Sequence, residues 1–144
     1  MRPYLLDINV LIALAWPNHV HHRETLRWFR ANSAAGFRTC PITQTGFVRI
    51  SSNPAFTKHA VTPSDAVALL VRLTELPTHD FWADDLAIAD VVADGSVIAG
   101  HRQVTDLNLL RLAVHRGGVL ATLDRGLETF ARRAGAALEV ITVS

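Results

Sequence analysis

Residues 4–15 form an almost unbroken apolar run, interrupted only by Asp7 and Asn9. A carboxylate inside such a run is costly to bury unless it is paired, hydrogen-bonded or bound to a cation. The pattern predicts a short buried strand at Tyr4–Leu6, with Asp7 capping a helix that ends at Pro17-Asn18. A second helix then starts at Asn18 or His19, with Leu26, Trp28 and Phe29 on its apolar side.

Further on, Gly36–Cys40 reads as a strand stopped by Pro41, and Thr43 as the N-cap of a third helix reaching Ile50. Asn53-Pro54 marks a turn in a loop over Ser51–Ala60. Thr62-Pro63-Ser64-Asp65 is a helix start, with a Thr cap, Pro at the first position and an acid three residues after the cap. That helix is expected to reach about Leu76. His79–Trp82 predicts a short strand, Leu86–Val92 a short helix and Gly95–Gly100 a break. Thr105–His115 is an amphipathic helix closed by Gly117-Gly118. Val119–Leu123 is an apolar strand, Leu127–Arg133 a short helix and Leu138–Val143 a final strand.

Strands alternating with helices predict an α/β chain, a mainly parallel sheet covered on both faces. A length of 144 residues fits one domain over 1–144, without a repeat or linker. With 49% apolar and 19% charged residues, the chain is expected to be globular, soluble and complete. Its basic and acidic residues nearly balance, so net charge selects no partner. Cys40, the single cysteine, excludes a disulfide framework and a cysteine-based zinc site, and makes the cytoplasm the default compartment. No apolar stretch is long enough for a spanning helix, so no membrane partner is expected.

In parallel sheets, ligands bind beyond the carboxyl ends of the strands. Asp7 and Asp124 follow two strands, Thr43 and Gln44 follow a third, and Asp106 opens a helix that can lie over the same edge. Three neighbouring carboxylates repel one another unless a cation is present. An oxygen-only set favours a hard ion, Mg²⁺ or Mn²⁺, which can activate water and clamp a phosphodiester. Ordinary helix capping by each aspartate is the competing account. His19, His21 and His22 are read as surface residues, since adjacent helical residues do not share a face. Trp16, Trp28, Phe29 and Trp82 are read as core, with a partner-binding surface for part of the set as the alternative. Arg102, Arg111, Arg125, Arg132 and Arg133 cluster in sequence near the C-terminal acids, where they either contact RNA phosphates or solvate helices.

Four blocks then fall in order: Leu5–Ile12, Cys40–Arg49, Val104–Leu110 and Leu120–Gly126. Together they resemble the successive motifs of a PIN domain, and more closely the VapC toxins of bacterial VapBC toxin–antitoxin pairs. The resemblance spans the chain and implies a three-layer α/β/α sandwich. It also implies a Mg²⁺- or Mn²⁺-dependent endoribonuclease and a homodimer held inactive by a VapB-like antitoxin. Asp7, Asp106 and Asp124 match the family's acidic metal-site residues. Asn9 matches the polar residue that orients the first acid, and Thr122 the small hydroxyl residue near the last. By extension Asn9, Thr43, Thr122, Arg102 and Arg125 are assigned to substrate binding.

The family usually has a glutamate where one register places Gln44 and another Gly46, so a charged ligand is missing. Gln44 is assigned to the catalytic set, and Gln44→Glu is expected to tighten ion binding if that register holds. The missing charge also leaves open a PIN module that binds RNA or antitoxin and cleaves poorly. A phosphatase with Asp7 as nucleophile is disfavoured, because Asn9 stands where a second acid is wanted and Lys58 is the only lysine.

Overall fold

The computed structural model describes residues 1–91, 100 and 103–143. The expected break at 95–99 and the assignment of Arg102 therefore lie outside the described residues. Five short strands, β1 (Tyr4–Leu6), β2 (Phe37–Thr39), β3 (His79–Phe81), β4 (Val119–Thr122) and β5 (Leu138–Val140), form one sheet in the order β3-β2-β1-β4-β5. Every pairing is parallel, with Tyr4 opposite both Phe37 and Val119.

Successive strand residues face opposite sides of the sheet, and the core divides accordingly. Leu6 and Ala121 pack with α1 (Ile8–Ala15), α2 (His22–Asn32), α3 (Pro41–Ser51) and α4 (Pro63–Thr74). Leu5 and Leu120 pack with α5 (Ile88–Val91), α6 (Gln103–His115) and α7 (Leu127–Arg133). The chain is thus the expected three-layer α/β/α sandwich. The chain leaves β1 toward one face and β4 toward the other, so a crevice opens beyond their carboxyl ends. Among the described residues, no helix is long and apolar enough to cross a membrane.

Helix starts moved most from expectation. Asp7 caps α1 as expected, its Oδ1 accepting from the Ile8 N–H at 2.8 Å. Thr62 caps α4 by accepting from the Asp65 N–H at 3.1 Å. The expected cap at Thr43 is wrong: α3 begins at Pro41 with Cys40 as its cap. Proline has no N–H to satisfy and its fixed φ suits the first helical position, so the helix starts there. Thr43 instead accepts from the Cys40 N–H at 3.0 Å and donates to the Cys40 carbonyl at 3.1 Å. α2 starts at His22, later than expected, because His19 and His22 are held in turns on Trp16 and His19. Trp82 is buried, and its ring fills the space beside Gly118, where a Cβ would lie 2.8 Å from the Pro3 carbonyl. Trp28 packs edge-on to Tyr4, with ring centroids 5.0 Å apart, and donates its indole N–H to Glu139.

Candidate active site

Beyond the ends of β1 and β4, the Thr122 hydroxyl ties the two strands together. It is completely buried, donates to Asp7 Oδ2 at 2.7 Å and accepts from the Asp124 N–H at 3.1 Å. Asn9, in the first turn of α1, reaches the same hydroxyl through Nδ2 at 3.3 Å, and its Oδ1 accepts from the Leu123 N–H at 3.2 Å. Both oxygens of the buried Asp7 carboxylate therefore accept a hydrogen bond, from Ile8 and from Thr122. Asp124 is exposed, and its Oδ1 accepts from the Gly126 N–H at 2.9 Å.

Asp106 lies in the first turn of α6 and joins Asp7 and Asp124 in one cleft, with Ile8, Asn9, Ile12, His19 and Ile50. Burial, followed by the charges on Asp7 and Asp124, pushes the Asp106 carboxyl up to about 6. Burial also raises Asp7. The hydrogen bonds from Thr122 and Ile8 pull it back, and the Asp124 charge adds to the rise. Burial of two acids beside a third, without a counter-charge, produces this pattern.

The donor set is all oxygen, as a hard divalent ion requires. Among the described residues, no three His, Cys, Asp or Glu side chains close on one point to hold an ion by themselves. Mg²⁺ commonly takes one or two carboxylates and keeps waters and substrate phosphates for its other positions. Each bonded carboxylate oxygen also retains a free lone pair. The three aspartates fit such an open site.

Several sequence-based assignments change. The Gln44 side chain turns away: its amide donates to Thr39 Oγ1 at 3.0 Å, and Thr39 in turn contacts His79 Nε2 at 2.8 Å. Gln44 does not line the acidic cleft. Gly46 faces α1 instead, and a Cβ there would run into the side chain of Ile8, the residue next to Asp7. The choice of face depends on how α3 docks on α1, which side-chain spacing along one helix does not contain. Thr43 and Thr122 are completely buried, and Asn9 is committed to Thr122 and Leu123. Thr43 and Thr122 therefore brace the protein from inside, while Asn9 keeps a face on the acidic cleft. Arg125 is exposed beside Asp124, whereas Arg111 is half-buried in α6.

His19, read as a surface residue, lines the cleft together with Ile12 and Ile50. Burial, then the neighbouring His21 and His22, hold its imidazole below the usual histidine range. The turn signal Pro17-Asn18 was visible beside it, but its return toward the acids depends on how α1 packs against α3. Arg49, which nothing in the sequence pattern singles out, is exposed and lines a shallow groove with Ile8, Gly46 and Thr105.

No family model matches the sequence. The chain is 48% identical over 124 residues to Ribonuclease VapC39 of Mycobacterium tuberculosis, covering 85% of this chain and 89% of that protein. It is 45% identical over 140 residues to Ribonuclease VapC38 of the same organism, covering 96% and 98%. Its fold is similar to that of the crystal structure of VapBC2 from Rickettsia felis bound to a promoter DNA fragment. There the TM-score is 0.61 at 14% identity, over 96% of this chain and 98% of that one, a likeness of fold alone. Identity of this extent to two VapC ribonucleases, on a PIN-like α/β/α sandwich with three aspartates at one sheet edge, places the chain in the VapC family.

Proposed function

We propose that this chain is a Mg²⁺- or Mn²⁺-dependent endoribonuclease, the toxin of a VapBC-type pair, with Asp7, Asp106 and Asp124 as its metal-binding and catalytic acids. The observation that supports this best is the single cleft holding all three, with Asp106 pushed up to about 6 by burial and then by the charges of the other two. When bound there, a divalent ion supplies Lewis-acid polarisation of the phosphodiester and lowers the pKa of a water.

The chain's own contribution is positioning and charge. Thr122 and the Ile8 N–H fix both Asp7 oxygens, so the carboxylate presents its remaining lone pairs at one angle. Asn9 and the Asp124 N–H hold Thr122 in turn. Asp106 gives up its proton once a cation offsets the neighbouring charges. Arg125, exposed next to Asp124, holds a neighbouring RNA phosphate, and Arg102 is assigned the same task from sequence.

The names of the structural neighbours, VapBC complexes, support a VapB-like antitoxin as partner. We assign the working protein to the cytoplasm, as a homodimer of one domain over 1–144. A poorly cleaving module is the second reading, favoured by the lack of a closed three-ligand cluster among the described residues. Incubation with total cellular RNA, with and without Mn²⁺, followed by mapping of new ends, separates the two. Metal-dependent ends that vanish with Asp7→Asn support the nuclease, and their absence supports the module. Co-expression with the adjacent small reading frame, followed by copurification, tests the antitoxin.

A further inference from the structure

The acidic cleft does not end at the aspartates. Ile12, His19 and Ile50 also line a second cleft of about 350 Å³, which continues to Trp16, Phe56 and His59. Its walls carry four aromatic or imidazole rings within a pocket large enough for a small ligand.

The Trp16 ring is fixed by a hydrogen bond, and the backbone that carries Phe56 and His59 is tied into turns. Trp16 donates its indole N–H to Ser51 Oγ at 3.0 Å, which fixes its plane against the end of α3. Phe56 stands on a built turn: the Ala55 N–H donates to Asn53 Oδ1 at 2.9 Å, and the Phe56 N–H to the Asn53 carbonyl at 3.0 Å. The His59 N–H donates to Thr57 Oγ1 at 3.1 Å. Yet Phe56 is 68% exposed and belongs to neither core cluster. An ordered loop that spends hydrogen bonds to display a phenylalanine in water contributes little to folding. The lining carries neither Lys, Arg, Asp nor Glu. A ring-lined pocket without Lys or Arg suits a π-face rather than a phosphate.

We propose that this second cleft seats an unpaired nucleobase of the RNA, a short distance along the strand from the scissile phosphate, among the rings of Trp16, His19, Phe56 and His59. The inference rests on the ribonuclease reading and deepens it. The acids take the backbone, and the ring-lined pocket takes a base splayed out of a loop, the form in which RNA sequence is usually read. A base held there fixes the register of the strand, so the pocket selects where the strand is cut.

The test uses the full chain with Mn²⁺ and a short single-stranded RNA spanning a mapped cleavage site, with each nucleotide in turn made abasic. For the wild type, one abasic position near the cut is expected to raise KM about tenfold, roughly 1.4 kcal/mol, within the range of base–aromatic stacking. Phe56→Ala should raise KM for the intact RNA by a similar factor and no longer respond to that abasic position. Phe56→Tyr should restore the response. An abasic penalty of equal size in wild type and Phe56→Ala overturns the proposal. So does an unchanged KM in Phe56→Ala that instead binds a VapB-like peptide more weakly, since the cleft would then be a peptide groove. A wild type that cleaves no RNA sinks the ribonuclease reading, and the pocket is then read by fluorescence anisotropy alone. Equal affinity of the wild type for the intact and every abasic RNA would overturn the pocket; loss of affinity at one position, absent in Phe56→Ala, would support it.

Discussion

The Thr122 hydroxyl donates to Asp7 Oδ2 at 2.7 Å, joining the end of β4 to the end of β1 inside the protein. The same oxygen accepts from Asn9 and from the Asp124 backbone. Thr122→Val keeps the shape and removes all three bonds. A buried carboxylate, an amide and a backbone N–H then lose partners, for an expected cost of about 1–3 kcal/mol at neutral pH. Because that bond lowers the Asp7 carboxyl, the variant's Asp7 titrates higher still than the wild type's raised value. The electrostatic part of the loss is therefore present above both folded values and fades as Asp7 takes its proton in acid. Denaturant unfolding at several pH values checks this, and Thr122→Ser should recover most of the loss. A pH-independent deficit would assign Thr122 to packing alone.

Asp106 makes the opposite prediction. Its folded carboxyl titrates at about 6 against an ordinary 3.8, so the folded chain binds the extra proton. Stability from that proton is complete below about 3.8, declines as pH rises toward 6, and is gone above it. Asp106→Asn removes the penalty. Without divalent ions the variant should melt at or above the wild-type temperature at neutral pH, and the gap should close in acid. Cleavage should be lost. A large fall in melting temperature would mean that Asp106 holds the fold.

Metal affinity should follow the same titration. An ion at the site competes with the Asp106 proton, so Mn²⁺ binding should weaken as pH falls through about 6 and level off above it. Calorimetry in two buffers of different ionisation heat should also show proton release on binding below that pH. A flat affinity between pH about 5 and 7.5 would remove Asp106 from the metal site.

The acids themselves were readable from the chain. Asp7 interrupts an apolar run, Asp124 follows another, and a parallel sheet brings such strand ends to one edge. Pattern finds them because a buried strand and a following cap are local features. Which side of a helix meets the site is not local. The choice between Gln44 and Gly46 turns on how α3 crosses α1. Trp28 and Trp16 look alike in sequence, but one packs on Tyr4 and the other borders a cleft. His19 looks like a surface residue in sequence for the same reason, since its place in the cleft exists only once the turn after α1 folds back beside Ile50.

That crossing of α1 and α3 sets the last prediction. Gln44 spends its amide on Thr39 and lies outside the acidic cleft. Gln44→Glu should therefore leave Mn²⁺ affinity and stoichiometry as they are, against the expectation that a restored carboxylate tightens binding. It should cost a little stability, because a carboxylate cannot donate to Thr39 as the amide does. Gly46 is the position that faces α1, but it is closed: a Cβ there would lie 2.8 Å from Ile8 Cγ1 and nearer still to the end of that side chain. Gly46→Ala should cost about 1–3 kcal/mol as an overpacked contact. It should also disturb metal binding, since Ile8 donates its N–H to Asp7. Gly46→Ala with Ile8→Val should recover part of both losses by opening the contact. Parallel melts and Mn²⁺ titrations on the four proteins decide the matter. Tighter binding in Gln44→Glu would show that Gln44 swings to the metal. A silent Gly46→Ala would show that Ile8 yields freely, and that the close approach of the two helices is not what shapes the Asp7 side of the cleft.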